Sequence, residues 1–129
     1  MERLKLKYQD ACKALVTFKS IMVENYSIIV RDAAIQRFEY TFEALWKFLK
    51  EYLKEKEGLV VTTPKSVFRS LFSLKFLSEE ETVLFLEMTD QRNETVHTYK
   101  EEVANSIYQK ARDYPALIEQ LMQRFEGKI

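Results

Sequence analysis

Cysteine is almost absent from this chain: Cys12 stands alone among 129 residues. A single thiol excludes an internal disulfide and any zinc site built from several cysteines. Cys12 falls in an apolar helical pattern, so a buried, inert thiol is expected. Two glycines and two prolines are too few for the turns of a sheet protein. Neither sign of charge is in excess, since 20 Lys and Arg balance 20 Asp and Glu. No global field therefore draws the protein to nucleic acid or to a membrane, and polyanion binding has to come from a local cluster. No run of about 18 apolar residues offers a membrane span. The opening MERLKLKYQD has no signal-peptide core, so a reducing cytoplasm is the expected compartment.

What is present is material for helices. Hydrophobic residues make up 47% and aromatics 13%, enough for a core, beside 31% charged residues for solvated faces. Leu4, Tyr8, Ala11, Leu15, Phe18 and Met22 recur at steps of three and four, one apolar stripe on a first helix. Ile35, Phe38, Phe42, Leu45, Leu49 and Tyr52 repeat the pattern on a longer second helix, expected to start near Ser27 and stop at Gly58. Trp46, Phe48 and Leu53 add apolar surface beside that stripe, more than one bundle face is expected to bury. Glu43 and Lys47 form an i,i+4 pair on the polar side.

The stretch GLVVTTPKSV reads as a loop, with Leu59 to Val61 as a candidate extended piece. Thr63 then caps a short third helix with Pro64 at its first position. Ser78 with Glu81 is a capping box that starts a fourth helix, and Thr98 with Glu101 is a second box that starts the last one. The stripe of that last helix runs from Ala104 to Phe125 straight through Pro115, which predicts a local break near Asp113. Residues 1–129 are expected to form a single all-α domain: an up-and-down four-helix bundle with one additional short helix.

The only histidine lies in MTDQRNETVHTYKEEV, five residues after Arg92 and two before Tyr99. On one continuous helix Arg92 and His97 would sit roughly 140° apart. The capping box at Thr98 instead predicts a turn that brings Arg92, at an exposed helix end, towards His97 at the start of the last helix. Free backbone N–H groups and a helix dipole attract phosphate at such a place. Arg92 adds a cationic fork, and His97 the side chain that exchanges protons near neutral pH. This is a candidate site for phosphodiester chemistry without a metal or cofactor. The same residues also fit a solvated helix end with a surface histidine.

RNETVH fits the R-N-x3-H form of the R-x4–6-H signature of HEPN domains, and RNETVHTY fits the longer R-x4-H-x-Y form. The block RDAAIQRFEYTFEALWKFLKEYL resembles the second helix of the nucleotidyltransferase substrate-binding proteins, and TDQRNETVHTYKEE resembles the same family. The resemblance covers nearly the whole chain. It implies a HEPN-like bundle that forms a homodimer, and a minimal nucleotidyltransferase (MNT) as partner protein. Two roles follow from it. In one, the protein is the toxin of a toxin–antitoxin pair, a metal-independent endoribonuclease. Arg92, His97 and Asn93 are then catalytic, and the partner silences the toxin by adding AMP to Tyr99. In the other, it is the noncatalytic substrate- or nucleotide-binding subunit of a two-component nucleotidyltransferase.

Overall fold

The structure, a computed structural model, describes residues 2–129 and is all-helical over them. Six α-helices follow in order: α1 (Glu2–Met22), α2 (Ile28–Glu57), α3 (Pro64–Ser73), α4 (Glu79–Glu94), α5 (Glu101–Ala111) and α6 (Tyr114–Gln123). A single 3₁₀ turn, Thr95–His97, continues α4. With α5 and α6 as the two halves of one broken helix, this is the expected bundle of four main helices and one short one. None of the described helices is long and apolar enough to cross a membrane.

Local chemistry sets most boundaries. Ser27 caps α2 by accepting from the Val30 amide at 3.0 Å. At the other end Gly58 takes φ 66°, a left-handed stop that a residue without Cβ favours, and the Leu59 amide returns to the Leu53 carbonyl at 3.0 Å. Thr63 caps α3, with Pro64 opening the helix and Ser66 returning a bond to the Thr63 amide. Ser78 and Glu81 form the capping box of α4, at 3.1 and 2.9 Å. Leu59–Val61 lie in irregular chain rather than an extended pair.

The central helix is α2, which packs against α1, α3, α4 and α5, while α6 lies against α1 and α5. The six residues of its predicted stripe are all buried. Phe48 and Leu53 are also fully buried, which corrects the expectation of surplus apolar surface at these two positions. A helix with partners on several sides buries more than one stripe: Phe48 meets Tyr8 of α1 at 5.2 Å between ring centroids and Phe125 at 5.6 Å. Only Trp46 stays half-buried. Ile21 rather than Met22 completes the buried stripe of α1. Cys12 is half-buried, and burial raises its thiol pKa, against the opposing hydrogen bond with Tyr8.

A second device closes the far end. Arg124, just past α6, donates through Nη1 to the Phe76 carbonyl at 2.8 Å and to Glu81 Oε1 at 2.9 Å. The guanidinium, followed by the bonds from Ser78, holds the Glu81 carboxyl down at about 2, well below its ordinary 4.5. Because the folded-state value is the lower one, this stabilisation is present above pH 4.5 and is lost as pH falls towards 2. Glu81→Gln is expected to lower stability at neutral pH by about 1–3 kcal/mol, after allowance for solvent screening. It should also flatten the acid limb of a plot of melting temperature against pH. Circular dichroism melts across the acid range check this; an unchanged acid limb would assign acid unfolding to other carboxylates.

Candidate functional site

The motif sits where α4 runs into the 3₁₀ turn. Phe85, Met88 and Thr89 form the buried face of α4, and Arg92 lies three residues beyond Thr89 on that same face. Its guanidinium is therefore directed at α2, with 23% of the side chain exposed. Nε and Nη2 both bond Glu43 Oε1, at 3.1 and 3.0 Å. Nη1 faces Thr95 Oγ1 at 3.4 Å and Glu39 Oε2 at 3.6 Å. Arg92 is a tether between the end of α4 and the middle of α2, not the exposed helix end expected from sequence.

Asn93, Val96 and His97, by contrast, are all exposed. The chain stays near-helical from α4 through the 3₁₀ turn, since Glu94, Thr95 and Thr98 all have right-handed helical φ and ψ. No reversal intervenes to swing Arg92 towards His97, and no hydrogen bond joins the two side chains. His97 is grouped instead with Tyr99: their rings are 6.2 Å apart at 70°, and Tyr99 is 75% exposed. Lys100 Nζ lies 5.8 Å from the Tyr99 ring centre.

The second capping box does not form. Thr98 donates its hydroxyl to the Thr95 carbonyl at 3.1 Å, and α5 begins after Lys100 with no side-chain cap. Tyr99 thus precedes α5 rather than lying in its first turn. The reason is a competitor distant in sequence. Arg31, 2% exposed on α2, takes the Glu101 carboxylate through Nη1 at 2.7 Å and Nη2 at 3.3 Å. Asn105 and Asp32, each at 3.0 Å, complete the shell of Arg31. A charge-assisted fork to a buried guanidinium outweighs a neutral cap. Arg31 holds the Glu101 carboxyl below its ordinary value, and Glu101, ahead of the opposing effect of burial, raises the Arg31 pKa further above the ordinary arginine value. With Glu101 and Glu102 in its first turn, the dipole of α5 is already met by carboxylates.

Glu39, Arg31 and Trp46 are the residues that sequence reasoning passed over here, along with the main role of Glu43. The Lys47 pairing with Glu43 exists at 3.9 Å, but Arg92 is nearer. Glu43 Oε2 also accepts from Trp46 Nε1 at 3.1 Å. A signal was available, because two carboxylates at i,i+4 repel unless a cation lies between them.

These features define an all-helical bundle that presents a histidine–tyrosine turn to solvent and keeps the motif arginine tied beneath it. The chain belongs to the family described as nucleotidyltransferase substrate binding protein like, whose model matches residues 6–127. It is similar to the crystal structure of a protein from Thermus thermophilus, at 50% identity and a TM-score of 0.84, covering 88% of this chain and 97% of that one. Among curated protein sequences none matches.

Proposed function

We propose that this protein acts with a minimal nucleotidyltransferase, as the HEPN-type toxin of the pair: a metal-independent endoribonuclease that its partner silences by adding AMP to Tyr99. The observation that carries this reading is the joint exposure of His97 and Tyr99 on one turn. The family description, which names a nucleotidyltransferase, supports the choice of partner.

In the cleavage step the His97 imidazole removes the proton of a ribose 2′-OH as that oxygen attacks the adjacent phosphorus. The bond from phosphorus to the 5′ oxygen breaks, leaving a 2′,3′-cyclic phosphate and a 5′-hydroxyl. One histidine per chain supplies a base but no acid, so a two-fold dimer facing two such turns would provide the proton for the leaving oxygen. Exposed apolar side chains support this end of the bundle as the dimer face. Val96 and Tyr99 on the turn are 65% and 75% exposed, and Ile29, beside the Arg31 that ties α2 to α5, is 82% exposed. Asn93 orients the phosphate, and Arg92, its fork held by Glu43, Glu39 and Thr95, contributes positive charge from beneath the turn.

AMP transfer from ATP to the Tyr99 hydroxyl would release pyrophosphate and leave a phosphodiester beside His97. The new negative charge and the bulk of the nucleotide would exclude RNA from the turn. Incubation with the cognate nucleotidyltransferase, ATP and magnesium is expected to raise the mass of the protein by AMP units at Tyr99. Tyr99→Phe should block the addition while most cleavage survives. Peptide mass spectrometry reads the outcome; modification at another tyrosine would sink the assignment. Cleavage of RNA by the pure protein in chelator tests the ribonuclease half.

A second reading has its own observation. Arg92 is shared between two carboxylates, Glu39 and Glu43, so its neighbourhood repels a phosphate more than a lone arginine would. That favours a noncatalytic subunit which holds substrate or nucleotide for the partner enzyme. Such a protein would bind without cleaving.

A further inference from the structure

The charges of this neutral chain are sorted between faces. The groove between α4 and α5 carries Asp90, Glu94 and Glu102 against Lys110. The groove between α1 and α2, about 370 Å³, carries Arg3, Lys7, Lys47, Lys50 and Lys54 against the single carboxylate of Glu51. Lys47, Lys50 and Lys54 stand at i, i+3 and i+7 of α2, and Arg3 and Lys7 at i, i+4 of α1, so each helix lays a row of cations along the groove. Arg3 is paired with Glu51 at 2.9 Å, and Lys47 only loosely with Glu43. Among the described residues, Lys7, Lys50 and Lys54 have no carboxylate within 4.0 Å. Trp46, the one tryptophan of the chain, lies in the same groove with Lys50 Nζ 5.7 Å from its ring centre.

Clustered cations repel one another, so a row with fewer carboxylates than cations is stabilised by an anion that spans it. A row of cations beside an aromatic face matches a flexible strand, whose phosphates meet the lysines and whose unpaired base stacks on the ring. The groove also adjoins the motif. Glu43 bonds Trp46 Nε1 with one oxygen and Arg92 with the other.

We propose that the α1–α2 groove is a binding site for single-stranded RNA, with Lys47, Lys50 and Lys54 on the phosphates and Trp46 under a base. The groove delivers the strand towards Arg92 from the basic side, while the acidic α4–α5 groove keeps it from the other. The choice of RNA rests on reading the motif as a ribonuclease site; the affinity of the groove for a polyanion does not.

Because Trp46 is the only tryptophan, its emission reports on this groove alone. The His97→Ala protein is titrated with single-stranded oligouridylate and oligoadenylate about ten nucleotides long. Quenching is expected, with a slope of log affinity against log salt of about −3, the value for four neutralised phosphates. The exposed triple substitution Lys47→Ala/Lys50→Ala/Lys54→Ala should weaken binding more than tenfold and reduce that slope by about 2. Unchanged affinity in the triple variant overturns the proposal. So does equal quenching by ATP at matched phosphate concentration, or quenching by phosphatidylglycerol vesicles and not by RNA. Binding without cleavage by the wild-type protein overturns the ribonuclease reading and leaves the groove standing. Cleavage that the triple variant retains in full does the reverse.

Discussion

His97→Ala is expected to reduce RNA cleavage in chelator by about 10²–10⁴-fold, the range that one positioned acid or base supplies. The same substitution should leave the fold intact. His97 is exposed and its ring meets the exposed Tyr99 edge-on, and surface changes of that kind usually stay within about 0.5 kcal/mol. Growth arrest on expression of the wild-type protein should vanish with the variant. Labelled-RNA gels and thermal melts on the same preparation make the comparison. Wild-type cleavage unchanged in His97→Ala would remove the histidine from the mechanism. No cleavage by either protein would leave the substrate-binding subunit as the standing interpretation.

Arg92→Ala is expected to act on two properties together. Loss of charge stabilisation at the phosphate should lower cleavage by about 10²–10³-fold. Loss of the tether strands Glu39 and Glu43 one helical turn apart, and stability should fall by about 1–3 kcal/mol. Arg92→Lys separates the two effects, since it keeps one charge between the carboxylates but loses the planar fork. It should recover part of the melting temperature and little of the activity. A double-mutant cycle with Glu43→Gln should show a coupling of about 0.5–3 kcal/mol, because the two groups are in contact. Full activity in Arg92→Ala with a lowered melting temperature would make the tether its only role.

Elements that depend on neighbours three or four residues away were legible before the structure. The caps at Ser27, Thr63 and Ser78, the stop at Gly58 and the break beside Asp113 all appear where local chemistry predicts them. The Thr98 cap failed because its Glu101 partner is taken by Arg31, 70 positions earlier. Arg92 is tied down rather than exposed because of Glu43, a partner 49 positions away. Nothing in the local spacing of either residue reveals such a competitor. The burial of Phe48 and Leu53 is hidden from the sequence for the same reason: how many sides of α2 are covered depends on which helices surround it. The composition of the motif was visible, then, and its division into a tethered arginine and an exposed histidine–tyrosine turn was not.

The break between Ala111 and Tyr114 leaves the buried spacing intact, since Ile107, Ala111, Tyr114, Ile118 and Leu121 continue at steps of three and four across it. In an unbroken helix one inserted residue turns everything downstream by roughly 100°, enough to lift Ile118, Leu121 and Phe125 out of the core they fill. Here Arg112 and Asp113 stand between the halves, and Pro115 withholds an N–H from the first turn of α6. An insertion between Arg112 and Asp113 is therefore expected to cost less than one inside α5 or α6, where it would turn a helix already bonded on both sides. Melting temperatures of the two insertions, with Arg124 still on Glu81, check this.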